Sequence, residues 1–138
     1  MNQILLDTNA YSAFMAGDEQ VLDALSQADT TLVSVIVIGE LLAGFRGGSR
    51  LQANRRQLAS FVAKPTVRTV NVGPETAEIF GEVKDALRRV GTPIPIADVW
   101  LAAQAMESGA VVVTYDEHFT RVPGLRLWDA LGGGSSSS

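Results

Sequence analysis

Three observations on this 138-residue sequence predict an α/β fold, an α/β/α sandwich around a central, mainly parallel sheet. Short segments that are apolar or rich in β-branched residues occur at residues 3–6, 31–35, 67–70 and 111–114 and have strand length. Longer segments with apolar residues at helical spacing separate them. The two kinds alternate, and alternation of this sort favours parallel pairing with helices on both faces.

Residues 3–6 form the first strand and run straight into Asp7. Residues 9–14 and 20–26 read as helices, broken near Gly17-Asp18. Residues 31–35 are the second strand. The helix expected over 38–45 stops at Gly47-Gly48. Residues 51–62 are amphipathic, with Leu51, Leu58, Phe61 and Val62 facing the core and Arg50, Arg55 and Arg56 facing water. Residues 67–70 are the third strand. The longest helix, 74–90, starts at Pro74-Glu75 and ends at Gly91, with Ile79, Phe80, Val83, Leu87 and Val90 as its stripe. Pro93 and Pro95 impose an extended link. A helix over 98–108 ends at Gly109, 111–114 is the fourth strand, and 125–127 is a candidate fifth. Residues 1–131 read as one domain without internal repeat or linker. The run Gly132-Gly133-Gly134-Ser135-Ser136-Ser137-Ser138 reads as a flexible tail or appended linker.

An apolar content of 46% and a charged content of 19% are those of an ordinary globular chain and exclude disorder over most of its length. No apolar run approaches the ~20 residues of a membrane span. The N-terminal residues lack the pattern of a signal peptide. With no cysteine, disulfides, thiol nucleophiles and thiolate metal sites are excluded, and a cytoplasmic location is expected. The net charge of -4 argues against a protein that simply coats nucleic acid. A nucleic-acid substrate held by a few local arginines remains compatible, with weak and salt-sensitive binding.

Three strands end on an acid. Ile4-Leu5-Leu6 runs into Asp7, the second strand into the helix that carries Glu40 in its expected first turn, and Val111-Val112-Val113-Thr114-Tyr115 into Asp116. If the strands are parallel, these acids gather at one sheet edge, the edge where such sheets bind ligands. Asp98, opening the helix before the fourth strand, can reach the same edge. Two unit charges ~4 Å apart repel by about 4 kcal/mol at an effective dielectric near 20. Four acids together therefore need a cation, a protonated member or spreading into water. Glu40 is the only charged residue from Leu32 to Phe45, so poorly solvated surroundings are expected for it. A set of hard oxygen ligands suits Mg²⁺ or Mn²⁺, and a metal so held can bind a phosphate and activate water.

Simpler roles exist for each acid taken alone. Asp7 and Asp98 fit helix N-caps, Glu40 a solvated helix face, and Asp116 a turn. Capping does not by itself account for three strand ends presenting acids in one direction.

Four blocks in order resemble the motifs of the PIN domain: Ile4-Leu5-Leu6-Asp7-Thr8-Asn9, Ser34-Val35-Ile36-Val37-Ile38-Gly39-Glu40-Leu41, Ile94-Pro95-Ile96-Ala97-Asp98-Val99-Trp100-Leu101-Ala102-Ala103 and Val113-Thr114-Tyr115-Asp116-Glu117-His118-Phe119. Val122-Pro123-Gly124-Leu125 resembles the family's closing segment, and the subgroup most similar is the VapC-like toxins of bacterial toxin–antitoxin pairs. The resemblance spans residues 2–128. It implies a metal-dependent endoribonuclease using Mg²⁺ or Mn²⁺, with Asp7, Glu40, Asp98 and Asp116 at the acidic positions. Thr8, Asn9 and Thr114 match small polar positions that support the carboxylates or a metal-bound water. Glu117 competes with Asp116 for the fourth acid. The resemblance further implies RNA cleavage leaving 5′-phosphate and 3′-hydroxyl ends, a homodimer, and an antitoxin protein that covers the acidic site with an Arg or Lys.

Arg46, Arg50, Arg55 and Arg56 are candidate RNA phosphate contacts, although a solvated helix face accounts for them equally simply. Trp100, Trp128 and His118 read as packing or surface residues. Gly44-Phe45-Arg46-Gly47-Gly48 lacks the Gly-Lys-Ser/Thr ending of a P-loop, and no Gly-x-Ser-x-Gly elbow occurs. Two rival functions stand beside the nuclease. A phosphatase with Asp7 as nucleophile would want a second Asp two residues on, where Asn9 stands, and a Lys near a later strand end, whereas the only lysines are Lys64 and Lys84. A non-catalytic interaction module with the same fold would have no need of the four acids.

Overall fold

The computed structural model describes residues 3–131, so the Gly/Ser segment 132–138 lies outside the described residues. The elements run β1 (Gln3–Leu6), α1 (Thr8–Met15), α2 (Glu19–Gln27), β2 (Thr30–Ser34), α3 (Val35–Arg46), α4 (Leu51–Val62), β3 (Val67–Val70), α5 (Pro74–Arg89), α6 (Ile96–Ser108) and β4 (Val111–Val113). Short 3-10 turns follow at Glu117–Arg121 and Asp129–Leu131.

The sheet order is β3-β2-β1-β4, and every pairing is parallel. After β1 the chain steps to β2 and on to β3, then returns to the other side of β1 to lay down β4. Right-handed crossovers therefore put α5 and α6 on the face opposite α1 to α4. The gap between β1 and β4 is the point where the winding reverses, and ligands of open α/β sheets bind beyond the strand ends there. Leu6 pairs with Val113, so the next rung brings Asp7 beside Thr114.

β1, β2 and β4 bury nearly all their side chains, as strands covered on both faces do, whereas the edge strand β3 leaves Arg68 and Thr69 exposed. Ile4, Leu5, Leu6, Leu32, Val33, Val112 and Val113 pack with Val37, Leu41, Leu58, Phe61, Leu101 and Phe119 into the main core. A second cluster, Val83, Leu87, Ile94, Val99, Ala102 and Val122, joins α5 to α6. Thr76 ties these helices together, accepting from the Gly73 backbone N–H and donating to Glu107. Trp100 stacks on Phe80 with ring centroids 3.9 Å apart, a packing role as read.

The structure corrects the sequence reading at several places. The second helix block begins at Val35, because the Ser34 side chain accepts from the Ile36 N–H and starts the helix three residues early. Glu40 therefore stands in the second turn of α3 and is exposed, not poorly solvated. Helix α6 begins at Ile96, with Pro95 at the N-cap, so Asp98 sits inside the first turn and is not a cap. Val90 is the C-cap of α5 and 69% exposed, outside the buried stripe. The candidate fifth strand shrinks to one bridge between Val112 and Leu127. Gly124, at φ +78, turns the chain just before it, and the Trp128 indole then anchors the segment, leaving no run long enough for a ladder.

Candidate metal centre

Asp7 leaves β1 and caps α1. Its Oδ1 accepts from the Ala10 N–H at 2.8 Å, and its Oδ2 accepts from Thr114 Oγ1 at 2.5 Å. The capping and clustering readings are thus both satisfied by one side chain. Thr114, fully buried at the end of β4, also accepts from the Asp116 N–H at 2.9 Å. One hydroxyl therefore sets the positions of two acids. Its carbonyl is held in turn by the Trp128 indole N–H at 2.5 Å.

Asp7 is 3% exposed. Burial pushes its carboxyl up to about 6, against the bonds from Thr114 and Ala10, and the charges of Asp98 and Asp116 push it further the same way. Asp98 is also raised, first by burial, with His118 opposing and the charges of Asp116 and Glu40 adding to the rise. These mutual effects are those of carboxylates facing one another across a small space. Glu40 reaches the group from α3, its Oε1 accepting from Thr8 Oγ1 at 2.5 Å. The four acids named from the sequence therefore converge, although Glu40 does so from the wet rim.

His118 was expected to be a packing or surface residue, and here the structure differs. Its Nε2 lies 2.5 Å from Asp98 Oδ2 and 3.0 Å from Asp116 Oδ2. The turn Glu117–Arg121 swings it inward because Phe119, next in the chain, is fully buried. The spacing Asp116-x-His118 was the only available signal, and it carries no meaning until the turn is known. Glu117 is exposed, whereas Asp116 is half-buried beside His118. Trp128 is buried as a packing residue, as read, and its bond to the Thr114 carbonyl has no local pattern to announce it.

Asp98, Asp116 and His118 each offer one ligand atom, all within 4.8 Å of one another. Two carboxylate oxygens and an imidazole nitrogen, with Asp7 and Glu40 alongside, form a donor set that fits a hard or borderline divalent cation. Such a cation would offset the burial and, secondarily, the mutual repulsion that raise Asp7 and Asp98.

Not every residue named from the sequence joins this group. Asn9 is exposed in the first turn of α1. Arg46, Arg50, Arg55 and Arg56 are exposed on α3, the loop after it and α4, and among the described residues none pairs with the acids. Arg56 instead lines a groove with Phe14, Met15, Phe61 and Lys64.

The family model described as "PIN domain" matches residues 4–125. "Ribonuclease VapC5" of Mycobacterium tuberculosis is 25% identical over 120 residues, covering 87% of each chain. "tRNA(fMet)-specific endonuclease VapC" of Salmonella typhimurium is 26% identical over 132 residues, covering 94% of this chain and 98% of that protein. Among solved structures, DNA-bound VapBC from Salmonella typhimurium superposes with a TM-score of 0.81 at 26% identity, covering 93% of this chain and 98% of that one. A family match over almost the whole described fold establishes that this chain belongs to the PIN domain family.

Proposed function

We propose that the chain is an endoribonuclease that hydrolyses RNA phosphodiester bonds and serves as the toxin of a toxin–antitoxin pair. The convergence of Asp7, Asp98 and Asp116 at the β1–β4 switch point carries this reading. The names of its VapC relatives support it.

In this reading Asp7, Asp98, Asp116 and Glu40 hold Mg²⁺ or Mn²⁺. When bound, the cation supplies Lewis-acid activation of water and neutralises charge at the scissile phosphate. Thr114 Oγ1 and the Ala10 N–H fix the two oxygens of Asp7, and Thr8 fixes Glu40. These bonds keep the carboxylates in place as the polyanion enters, so little reorganisation is left for the reaction. Asn9, exposed in the first turn of α1, is given a supporting polar role only by its place after Thr8. In-line attack leaves a 5′-phosphate and a 3′-hydroxyl. Arg46, Arg50, Arg55 and Arg56, all exposed, provide phosphate contacts beside the site.

Residues 1–131 act as one nuclease unit in the cytoplasm. The partner is a cognate antitoxin protein that covers the acidic pocket, consistent with similarity to a VapBC assembly. The active form is a homodimer.

Cleavage of a mixed cellular RNA pool tests this, with Mn²⁺ or Mg²⁺ and with chelator, in wild type and Asp7→Asn. Metal-dependent cutting that the substitution abolishes is expected. Absence of both cutting and metal binding would favour a non-catalytic module instead.

A further inference from the structure

The side chain nearest to two of the acids is a nitrogen donor, not an oxygen one. Nε2 of His118 approaches Asp98 Oδ2 and Asp116 Oδ2 at 2.5 and 3.0 Å. Two ligands at right angles on a cation with bonds of ~2.1 Å stand ~3 Å apart, so the spacing to Asp116 is that of neighbouring corners of an octahedron. The imidazole is part-buried and its ring lies against the Phe119 ring, with centroids 5.6 Å apart. Full burial of Phe119 fixes the turn that presents it. The nitrogen is therefore held at the acids and does not reach them from a mobile surface arm.

We infer that His118 is itself a ligand of the metal, with Asp98 and Asp116, and that the site consequently takes a first-row transition cation, Mn²⁺ included, in preference to Mg²⁺. Imidazole binds every first-row transition ion better than it binds Mg²⁺, Mn²⁺ by the smallest margin, whereas carboxylates serve both. One nitrogen among the oxygens shifts the balance in one direction. The inference rests on the metal-dependent reading above and adds to it a residue and a choice of ion.

The test uses the full chain stripped by chelator, with Mn²⁺ and Mg²⁺ separately as probes. Pulsed EPR of the Mn²⁺ form should show nitrogen modulation from a directly coordinated imidazole. The chain has one histidine, so ¹⁵N-histidine labelling must change the pattern if His118 is its source. His118→Ala and His118→Asn should each weaken Mn²⁺ binding by at least about tenfold, as loss of metal-site support does. Mg²⁺ binding should fall by less than about threefold, since oxygen donors carry it. Mn²⁺ bound by the wild type without nitrogen modulation, and unchanged by either substitution, would overturn the role of His118. Loss of Mn²⁺ binding in Asp98→Asn would in that case keep the acid site standing. No Mn²⁺ binding by the wild type would remove both readings together.

Discussion

Thr114 Oγ1 donates to Asp7 Oδ2 across 107 residues of sequence, and the same oxygen accepts from the backbone of Asp116. This hydroxyl links the end of β1 to the end of β4, and the two acids it positions stand on either side of the switch point. Thr114→Val keeps the shape and removes the hydroxyl. Cleavage should fall by about 10–100-fold, the usual loss when a group orienting a metal ligand is removed. Thr114→Ser should restore most of it. Failure of Ser to rescue would place the effect in the methyl packing.

Asp7→Asn separates activity from stability. An Asn Oδ1 can still accept from the Ala10 N–H, so the helix cap survives. The buried charge disappears. Cleavage should drop by at least about a hundredfold, in the range for removing a key electrostatic group. Metal-free protein at pH 8 should nevertheless melt at a higher temperature than wild type. Calorimetry of chelated samples decides this, and a lower midpoint would show that Asp7 is stabilising even when ionised.

The raised carboxyl of Asp7 also sets a pH dependence. A group near 6 when folded and 3.8 when unfolded binds more protons in the folded state between those values. Metal-free stability should therefore fall as pH rises from about 4 to about 6, by up to about 3 kcal/mol at 1.36 kcal/mol per pKa unit. Asp98, shifted in the same direction, adds to the slope. Saturating Mn²⁺ should flatten or reverse it. Denaturant titrations across pH 4–8 measure the effect, and a level profile without metal would exclude it.

Trp128→Phe removes the indole N–H that satisfies the buried Thr114 carbonyl. A buried acceptor left without a partner costs about 1–3 kcal/mol. The expected result is a loss of that size with cleavage still detectable. An unchanged midpoint in urea would mean that the carbonyl finds another donor.

Arg55 and Arg56 lie on the exposed face of α4. If both contact phosphates, replacing them with Ala should weaken RNA binding and lower the slope of log K against log salt by about 1.4 for a single strand. An unaltered slope would leave them as a solvated helix face.

The parts of the fold legible in the sequence are those set by local pattern. The bounds of β1 and β3 can be read directly, β1 because its apolar run ends on Asp7 and β3 because its β-branched residues Val67, Thr69 and Val70 are set off by Pro65 and by Gly73-Pro74. The start of α3 cannot, since Val35-Ile36-Val37-Ile38 has strand composition and only the Ser34 cap decides for helix. A local cap overrides strand propensity at that point. The four acids are legible because each stands at the end of a recognisable run. His118 and Trp128 are not, because their partners are fixed by a turn and by a strand that collapses to one bridge, neither of which has a periodic signature.

The central strand of the sheet is the first one synthesised. β1 pairs with β2 on one side and with β4 on the other, and β4 lies more than a hundred residues later. While a chain is still emerging from the ribosome, Asp7 therefore has neither the Thr114 hydroxyl nor the facing acids Asp98 and Asp116. In the nuclease proposed above, the acid cluster is therefore incomplete until the segment through His118 has emerged. The interval available for a partner to intercept it then begins with completion of the fold.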